Sequence, residues 1–309
     1  MPRRQELPAA VRGRAIRVAE AATWGLTPSQ LRAKSAQRPF RGIRGFGIAL
    51  STDADRCRAY LPELREHAAF SHATAALIYG LPLPERLRDQ PIHVTSTAAT
   101  RPRIPGVVGH RERNVRRRQI GDLPVVAPAD VWCELARSLT LPELVAVGDA
   151  LISGIRRGGR RAEPLCEIAE LREAIDRRSP AAGTAKLREA FLYVRSGVDS
   201  PQETFLRMLV IGAGYEEPVV APTAIGADGV IVTVDGFMVH PDLGYPKWRI
   251  AFEYEGDHHR TDQRQWRRDI ARVRALEAAG WTVLRVTASD LIRPESLFSA
   301  LRAALARHR

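Results

Sequence analysis

The residues best suited to chemistry are crowded into one short stretch in the last quarter of the chain. Residues 251–260 read AFEYEGDHHR, so an apolar start leads into three acids and two histidines around Gly256. Like charges this close repel one another, and a solvated polar turn is one explanation for such a stretch. A bound cation is the other, because it would offset the repulsion, and we take it as the working hypothesis.

Two of these acids are spaced so that they could act together. Residues i and i+2 of a strand project to the same face of a sheet, so Glu253 and Glu255 would point the same way. Asp242 precedes them, and a turn expected at residues 244–246 would place it on a neighbouring strand. Glu203, in the first turn of a predicted helix, could lean over the same spot.

A converging set of carboxylates favours a hard divalent cation. Such groups repel one another strongly in a cleft of low dielectric, and Mg²⁺, which prefers oxygen ligands, would remove that cost. The ion would polarise a phosphodiester and lower the pKa of a bound water. We therefore expect Mg²⁺, with Mn²⁺ as an alternative, to be held by Glu203, Asp242 and Glu253.

The net charge indicates a polyanionic partner. The 309 residues carry a formal charge of +12 at pH 7. Residues 195–309 hold 15 basic and 15 acidic residues, so the whole excess lies in residues 1–194. Nucleic acid is the first candidate for such a partner. The alternative is that a GC-rich genome favours arginine and raises the net charge without any function. If nucleic acid is the partner, residues 1–194 would bind phosphate groups and residues 195–309 would bind a cation.

The composition excludes several classes of protein. With 45% hydrophobic and 27% charged residues the chain is globular, and its length suits two or three domains. No apolar run approaches the roughly 18 residues of a membrane span, and the N-terminus shows no apolar signal core. We therefore expect a cytoplasmic protein without membrane contacts. Cys57, Cys133 and Cys166 are too far apart for a zinc site and should be buried thiols.

Turn and helix signals divide the chain into four parts. Residues 1–55 are expected to form a winged helix-turn-helix-like domain, and residues 56–160 an α+β domain. Residues 161–195 should form a helical connector, and residues 196–309 a sheet with helices packed on it. The predicted fold class is therefore α/β, of the α+β multi-domain kind.

The expected N-terminal domain depends on three local signals. Apolar residues at helical spacing predict a helix over Arg12–Thr23. The run from Thr27 to Gln30, with Pro28 in the first turn, has the pattern of a capping box and predicts the start of a second helix. Residues 38–47, rich in glycine and arginine, could form a hairpin wing. Contact of this segment with DNA is an open expectation.

The acidic residues also resemble a known nuclease motif. Pro241-Asp242 followed by Glu253-Tyr-Glu255 resembles the PD-(D/E)xK signature. The ordered segments SPQETFLRMLV, HPDLGYP, FEYEGDHH, DIARVRALEAAGW and VLRV, between Ser200 and Arg307, resemble the DUF559 family, which is related to very-short-patch-repair endonucleases. The resemblance implies a restriction-endonuclease-like mixed sheet flanked by helices and metal-dependent hydrolysis of DNA.

One position departs from that signature. Glu255 stands where the signature has a lysine that stabilises the transition state or positions water. His258 or His259 could supply the general base, because imidazole titrates near neutrality, and a surface turn is the other explanation for that pair. Asp269 and Arg272 match the family run and are expected to pair structurally. The candidate catalytic residues are Glu203, Asp242, Glu253, Glu255 and His259.

The remainder of the chain resembles a second family. The segments WGLTPSQLRAK, FRGIRG, FSHATAALIYGLPLP, IHVTS, GVVGH and LPVVAPADVWCELA are similar to AbiEi-like antitoxin proteins. This similarity implies a winged-helix-like head followed by an α+β domain.

Together these features predict a metal-dependent DNA endonuclease whose N-terminal domains bind DNA. The alternative is an antitoxin-like transcriptional regulator, or another DNA-binding protein, with an inactive nuclease-like domain; RNA or tRNA processing is a third hypothesis. The presence of both Asp242 and Glu253 favours the nuclease, because a degenerate site should have lost one of them. DNA is the expected partner, while a homodimer and a toxin or regulatory partner stay open.

Overall fold

The structure is a computed structural model of the chain. Helices and strands of mixed sheets occur throughout the described part, which confirms the predicted α/β class of the α+β multi-domain kind. No helix in that part is both long and apolar enough to cross a membrane. Cys57, Cys133 and Cys166 are buried free thiols, as predicted. The structure describes residues 6–98, 101–157, 160–178, 182–256 and 263–307.

The chain forms two compact units that interleave along the sequence. The first unit comprises residues 1–139 and 168–187, and the second comprises residues 140–167 and 188–309. These limits differ from the predicted boundaries, because the expected head and most of the expected middle domain share the first unit. The expected connector is divided between the two units. Packing explains part of the difference, since the helix that follows residue 140 lies against the helix that follows residue 200.

Within the described residues, the first unit contains a two-stranded and a five-stranded sheet. The five-stranded sheet mixes parallel and antiparallel neighbours. Two of its helices begin at the residues after Ser71 and Ala127. The elements up to residue 139 are β1 (Arg14–Arg17), α1 (Pro28–Arg32), β2 (Ile43–Phe46), α2 (Asp53–Tyr60), β3 (Ala69–Phe70), α3 (His72–Tyr79), β4 (Ile92–Ser96), β5 (Val107–Arg111), β6 (Arg117–Ile120), β7 (Leu123–Val126) and α4 (Pro128–Leu135).

The first helix of the expected helix-turn-helix is absent from the structure, which describes Arg12–Thr23 in full. That range holds β1 and a short 3-10 helix. Strand β1 pairs antiparallel with β2, with Arg14 opposite Phe46, so β2 finds its partner outside the expected wing. A tertiary contact decides the outcome, because Ile16 of β1 is buried and joins Phe46 of β2 in one apolar cluster.

The second expected helix is confirmed at its N-terminus. Helix α1 starts at Pro28, and the Thr27 hydroxyl accepts a hydrogen bond from the Gln30 amide. The Gln30 side chain in turn accepts from the Thr27 amide at 2.8 Å, which completes the predicted capping box. The helix is only five residues long.

The second unit is built around one four-stranded sheet with helices on both faces, counted within the described residues. This agrees with the sheet and helices predicted for residues 196–309. In chain order the elements after residue 139 are α5 (Leu141–Ser153), β8 (Arg156–Arg157), β9 (Arg160–Arg161), α6 (Ile168–Arg178), α7 (Thr184–Tyr193), α8 (Pro201–Gly212), β10 (Val219–Val220), β11 (Thr233–Val234), β12 (Phe237–Met238), β13 (Leu243–Tyr245), β14 (Ile250–Tyr254), α9 (Gln263–Ala278), β15 (Thr282–Val286), α10 (Ala288–Ile292) and α11 (Glu295–Ala306).

The two faces of this sheet have separate cores. The strand order is β10-β13-β14-β15, with β13 antiparallel and β15 parallel to β14. On one face Phe252 packs with Leu206 of α8 and Leu301 of α11. On the other face Ala251 packs with Leu276 of α9. Since side chains alternate along β14, residue 253 points to the face that α9 covers.

A buried ionic network ties α5 to α8 within the second unit. The Arg207 side chain is fully buried and donates to Asp149 and Glu217, each at 2.8 Å. Asp149 also accepts from the Thr204 hydroxyl and from the amide of Arg195, both at 2.7 Å. Because both carboxylate oxygens of Asp149 and two guanidinium nitrogens of Arg207 are paired, the buried charges are compensated.

Candidate functional site

Three largely buried carboxylates come from three neighbouring elements of the second unit. Glu203 lies in the first turn of α8, Asp242 directly precedes β13, and Glu253 lies on β14. Strands β13 and β14 are antiparallel, with Leu243 opposite Phe252. Continuing this register by one residue places Asp242 opposite Glu253. Asp242 and Glu253 are therefore neighbours, and Glu203 is near enough that its charge raises the pKa of Glu253 and the charge of Asp242 raises the pKa of Glu203.

Local hydrogen bonds hold two of these carboxylates in place. One oxygen of Glu203 accepts from the amide of Asp199 at 3.0 Å, and the other accepts from the Ser200 hydroxyl at 2.9 Å. Ser200 is the N-cap of α8 and accepts from the Glu203 amide. Asp242 Oδ2 accepts from the amide of Tyr254 at 2.8 Å, which ties it to the end of β14.

Burial raises the pKa of all three carboxyl groups, and repulsion by Asp242 adds to the rise at both glutamates. Burial, followed by the charge of Asp242, raises the pKa of Glu203 to about 8 and that of Glu253 to about 8. Burial also raises the pKa of Asp242, although the hydrogen bond from Tyr254 and the charge of Arg272 oppose the rise. A cluster that is costly to ionise favours the binding of a cation or of protons.

Arg272 on α9 brings a positive charge to this cluster. One of its guanidinium nitrogens donates to the carbonyl of His240 at 2.7 Å and lies 3.2 Å from a carboxylate oxygen of Glu253. The charge of Asp269, one turn earlier, raises the pKa of Asp242 and Glu253. Both helix residues thus belong to the surroundings of the candidate site, where Arg272 offsets part of the negative charge.

Glu255 follows the end of β14 and is paired with the neighbouring strand β15. Its carboxylate forms an ion pair with Arg285 on β15, and the side chain is 40% exposed. Its amide donates to the carbonyl of Val286 at 2.7 Å. Arg285 stands opposite Glu253 in the parallel register, so a cation on the next strand lies within reach of Glu255. The structure therefore pairs this acid with a cation of β15, and the expected shared face of Glu253 and Glu255 stays a prediction.

The two histidines of the opening stretch lie outside the described residues, as does Asp257. The hypothesis that His259 or His258 acts as general base stays a prediction. The described chain stops at Gly256 and resumes at Gln263 in α9.

The donor set fits a hard divalent cation in its chemistry. Three carboxylates offer oxygen ligands, which Mg²⁺ prefers, and burial raises the pKa of each of them. The carboxylates are not closed into a cage. One group of metal-ligating side chains in the described residues has its ligand atoms within 4.8 Å of one another. It consists of three histidines of the first unit and does not include the carboxylates. A cation here would keep water ligands, as Mg²⁺ usually does.

Sequence reasoning missed one acid at this site. Asp199 raises the pKa of Glu203 and of Asp242 through its charge. It also forms ion pairs with Arg156 and Arg161 of the β8–β9 hairpin. Its place immediately before the N-cap Ser200 was the available signal, because that position lies beside the first turn of α8.

Comparisons with known proteins give relatives but no activity. No family model matches the chain, and no solved structure matches it. The uncharacterized proteins MT2308 and Rv2248, from two strains of Mycobacterium tuberculosis, are each 25% identical to this chain over 242 residues. The match covers 78% of this chain and 81% of each relative. The resemblances to nuclease and antitoxin families stay predictions.

Proposed function

We propose that this protein is a metal-dependent endonuclease that cleaves DNA in the cytoplasm. The observation that carries the proposal is the meeting of Glu203, Asp242 and Glu253 at the sheet of the second unit, with the pKa of each raised by burial. Three such carboxylates cost folding stability when they are charged, so their presence favours a cation that uses them.

Each neighbouring group has a distinct part in this proposal. Glu203, Asp242 and Glu253 would hold Mg²⁺, or Mn²⁺ as the alternative. When bound, the ion supplies polarisation of the phosphodiester and lowers the pKa of its water. The amide of Tyr254 orients Asp242, while Arg272 orients Glu253 and adds positive charge where a phosphate would approach.

The charge distribution supports DNA as the substrate. The net charge of +12 is carried by residues 1–194, so cationic side chains outnumber acids away from the carboxylate cluster. Phosphate contacts by lysine and arginine supply most of the affinity in non-specific DNA binding. The basic residues would hold the backbone while the acidic site reaches one phosphodiester.

A DNA-binding regulator with an inactive nuclease-like domain is the second candidate. The pairing of Glu255 with Arg285 favours it, because the position of the signature lysine is then an acid engaged by another strand. The ion pair between Arg272 and Glu253 points the same way, since it partly neutralises the cluster without metal. Cleavage assays separate the two candidates.

The decisive measurement is nicking of supercoiled plasmid by the full chain with Mg²⁺, with Mn²⁺ and with EDTA. We expect nicking with either metal and none with EDTA. Asp242→Asn and Glu253→Gln keep shape and remove one charge each, so cleavage should be abolished while DNA binding is kept or strengthened. Asp235→Asn and Glu277→Gln change exposed acids of the same unit and should cleave like wild type.

Two outcomes would contradict the endonuclease proposal. If wild type stays inert with both metals on several DNA substrates but binds DNA, the regulator takes its place. If wild type cleaves and Asp242→Asn cleaves equally well, the reaction occurs at another site of the chain.

A further inference from the structure

Three histidines far apart in sequence meet in the first unit. His72 is the first residue of α3, His93 lies on β4 and His110 lies on β5. Strands β4 and β5 are parallel neighbours, and His110 stands opposite Thr95, two residues beyond His93. His93 and His110 therefore project from the same face of the sheet, at adjacent positions.

The rings are close enough to share one ion. His93 Nδ1 lies 2.8 Å from His110 Nε2, and the rings of His72 and His110 stack with centroids 3.7 Å apart. One ligand nitrogen from each of the three lies within 4.8 Å of the others. Two nitrogens bound to one tetrahedral Zn²⁺ are about 3.3 Å apart, given a Zn–N bond of roughly 2.0–2.1 Å. A shift of about half an ångström would suffice at the closest pair.

A buried carboxylate stands behind this cluster. Glu134 on α4 is 4% exposed, accepts from the backbone amide of His72 at 2.8 Å, and has an oxygen 3.5 Å from His72 Nδ1. The hydroxyl of Thr95 donates to its other oxygen at 3.3 Å. A carboxylate beside one ring nitrogen of a histidine is the usual support for a metal ligand, because it fixes the ring and raises its basicity.

The backbone conformation of His72 and the low pKa values of the three histidines also fit metal binding. His72 has φ of 51°, a left-handed conformation that a non-glycine residue keeps only where its surroundings enforce it. Burial, aided by the charges of neighbouring groups, lowers the pKa of His72 to about 2 and that of His110 to about 4, and burial lowers the pKa of His93. Neutral imidazole is the form that ligates metals.

We propose that His72, His93 and His110 bind one transition-metal ion, with Zn²⁺ as the expected occupant. Imidazole nitrogens suit zinc and its neighbours, whereas Mg²⁺ prefers oxygen. Each ring is partly exposed, so a water can serve as the fourth ligand of a tetrahedral ion. The site lies in the first unit, separate from the carboxylates of the second, and it does not depend on the proposed nuclease activity.

The test is a calorimetric titration of Zn²⁺ into metal-stripped full-length protein at neutral pH. We expect one tight equivalent per chain, and a Co²⁺-loaded sample should show the visible absorption of a tetrahedral nitrogen site. His93→Gln and His110→Gln keep a hydrogen-bonding side chain and should weaken Zn²⁺ binding at least tenfold. Circular dichroism establishes that these variants fold.

Matched controls separate this site from other zinc-binding groups. His67→Gln changes an exposed histidine of the first unit and should bind zinc like wild type, as should Asp235→Asn, which changes an exposed acid of the second unit. Glu134→Gln should bind 10–100-fold more weakly, because the carboxylate behind His72 is lost. The proposal is overturned if folded wild type takes up no Zn²⁺, or if binding is unchanged in both His93→Gln and His110→Gln. In either case the three rings form a hydrogen-bonded structural cluster.

Discussion

At the scale of single residues, the candidate site depends on how the charge of one carboxyl group changes the pKa of its neighbours. Glu203 and Glu253 each have a pKa raised to about 8, and in both the charge of Asp242 is the largest cause after burial. A carboxyl group with a higher pKa in the folded chain binds more protons when folded. The folded state therefore loses stability as pH rises from about 4.5 through about 8.

The fall in stability with rising pH leads to a prediction for Asp242→Asn. Removing the charge at position 242 should raise the melting temperature at pH 8 in EDTA by a few degrees, which corresponds to about 1–2 kcal/mol. At pH 5, where the glutamates are largely protonated in the folded chain, the gain should shrink. Differential scanning calorimetry at the two pH values measures both effects.

The matched control for that comparison is Asp235→Asn, which changes an exposed acid in the hairpin between β11 and β12. Its melting temperature should follow wild type at both pH values. An equal gain at pH 5 and pH 8 for Asp242→Asn would mean that charge repulsion is not the source of the effect.

At the scale of elements, the contact between α5 and α8 depends on one buried charge pair. Arg207→Met leaves Asp149 without its guanidinium, and removing one partner of a buried pair costs about 3–5 kcal/mol. Urea unfolding followed by circular dichroism should show this loss. Arg302→Met, at an exposed position of α11, should change stability by less than about 0.5 kcal/mol. A loss below 1 kcal/mol for Arg207→Met would show that water or protonation of Asp149 compensates for the missing guanidinium.

Local signals in the sequence predicted the starts of α1 and α8, because capping is a short-range interaction. Thr27 caps α1, and Glu203 lies in the first turn of α8, as expected. Arg12–Thr23 was predicted wrongly as a helix, since Ile16 and the alanines at helical spacing also fit a short strand followed by a turn. The deciding contact was with Phe46, some thirty residues later, which no local pattern contains.

The candidate site was predictable only where strand geometry fixes it. Asp242 and Glu253 are brought together by a short antiparallel connection, which the sequence between them indicated. The pairing of Glu255 with Arg285 depends on which strand lies beside β14, and spacing alone does not give the sheet order. The histidine cluster also depends on sheet order, because its members are separated by helices and turns in the sequence.

At the scale of the whole molecule, the concentration of positive charge in residues 1–194 makes DNA affinity dependent on salt. We expect log Kd to rise linearly with log salt, by about 0.9 per phosphate contact. Arg113→Gln combined with Arg116→Gln removes two exposed charges of the first unit and should lower that slope by up to about 1.8. Fluorescence anisotropy with a labelled duplex measures the slope.

A double variant of the second unit provides the comparison. Arg274→Gln combined with Arg302→Gln removes the same number of exposed arginines from helices α9 and α11. Its slope should stay close to that of wild type. An equal loss of slope in both double variants would mean that the excess charge acts through the net field of the protein and not through local phosphate contacts.

The interleaving of the two units also determines the order in which their elements can fold during synthesis. A ribosome releases α5 well before α8, and Asp149 precedes its partner Arg207 by 58 residues. Residues 168–187 complete the first unit during this interval, whereas the sheet of the second unit must wait for β15. Helix α5 therefore spends part of synthesis with an apolar face and an uncompensated acid exposed. During that period it would be a binding site for chaperones, and a stalled or truncated product would keep it exposed.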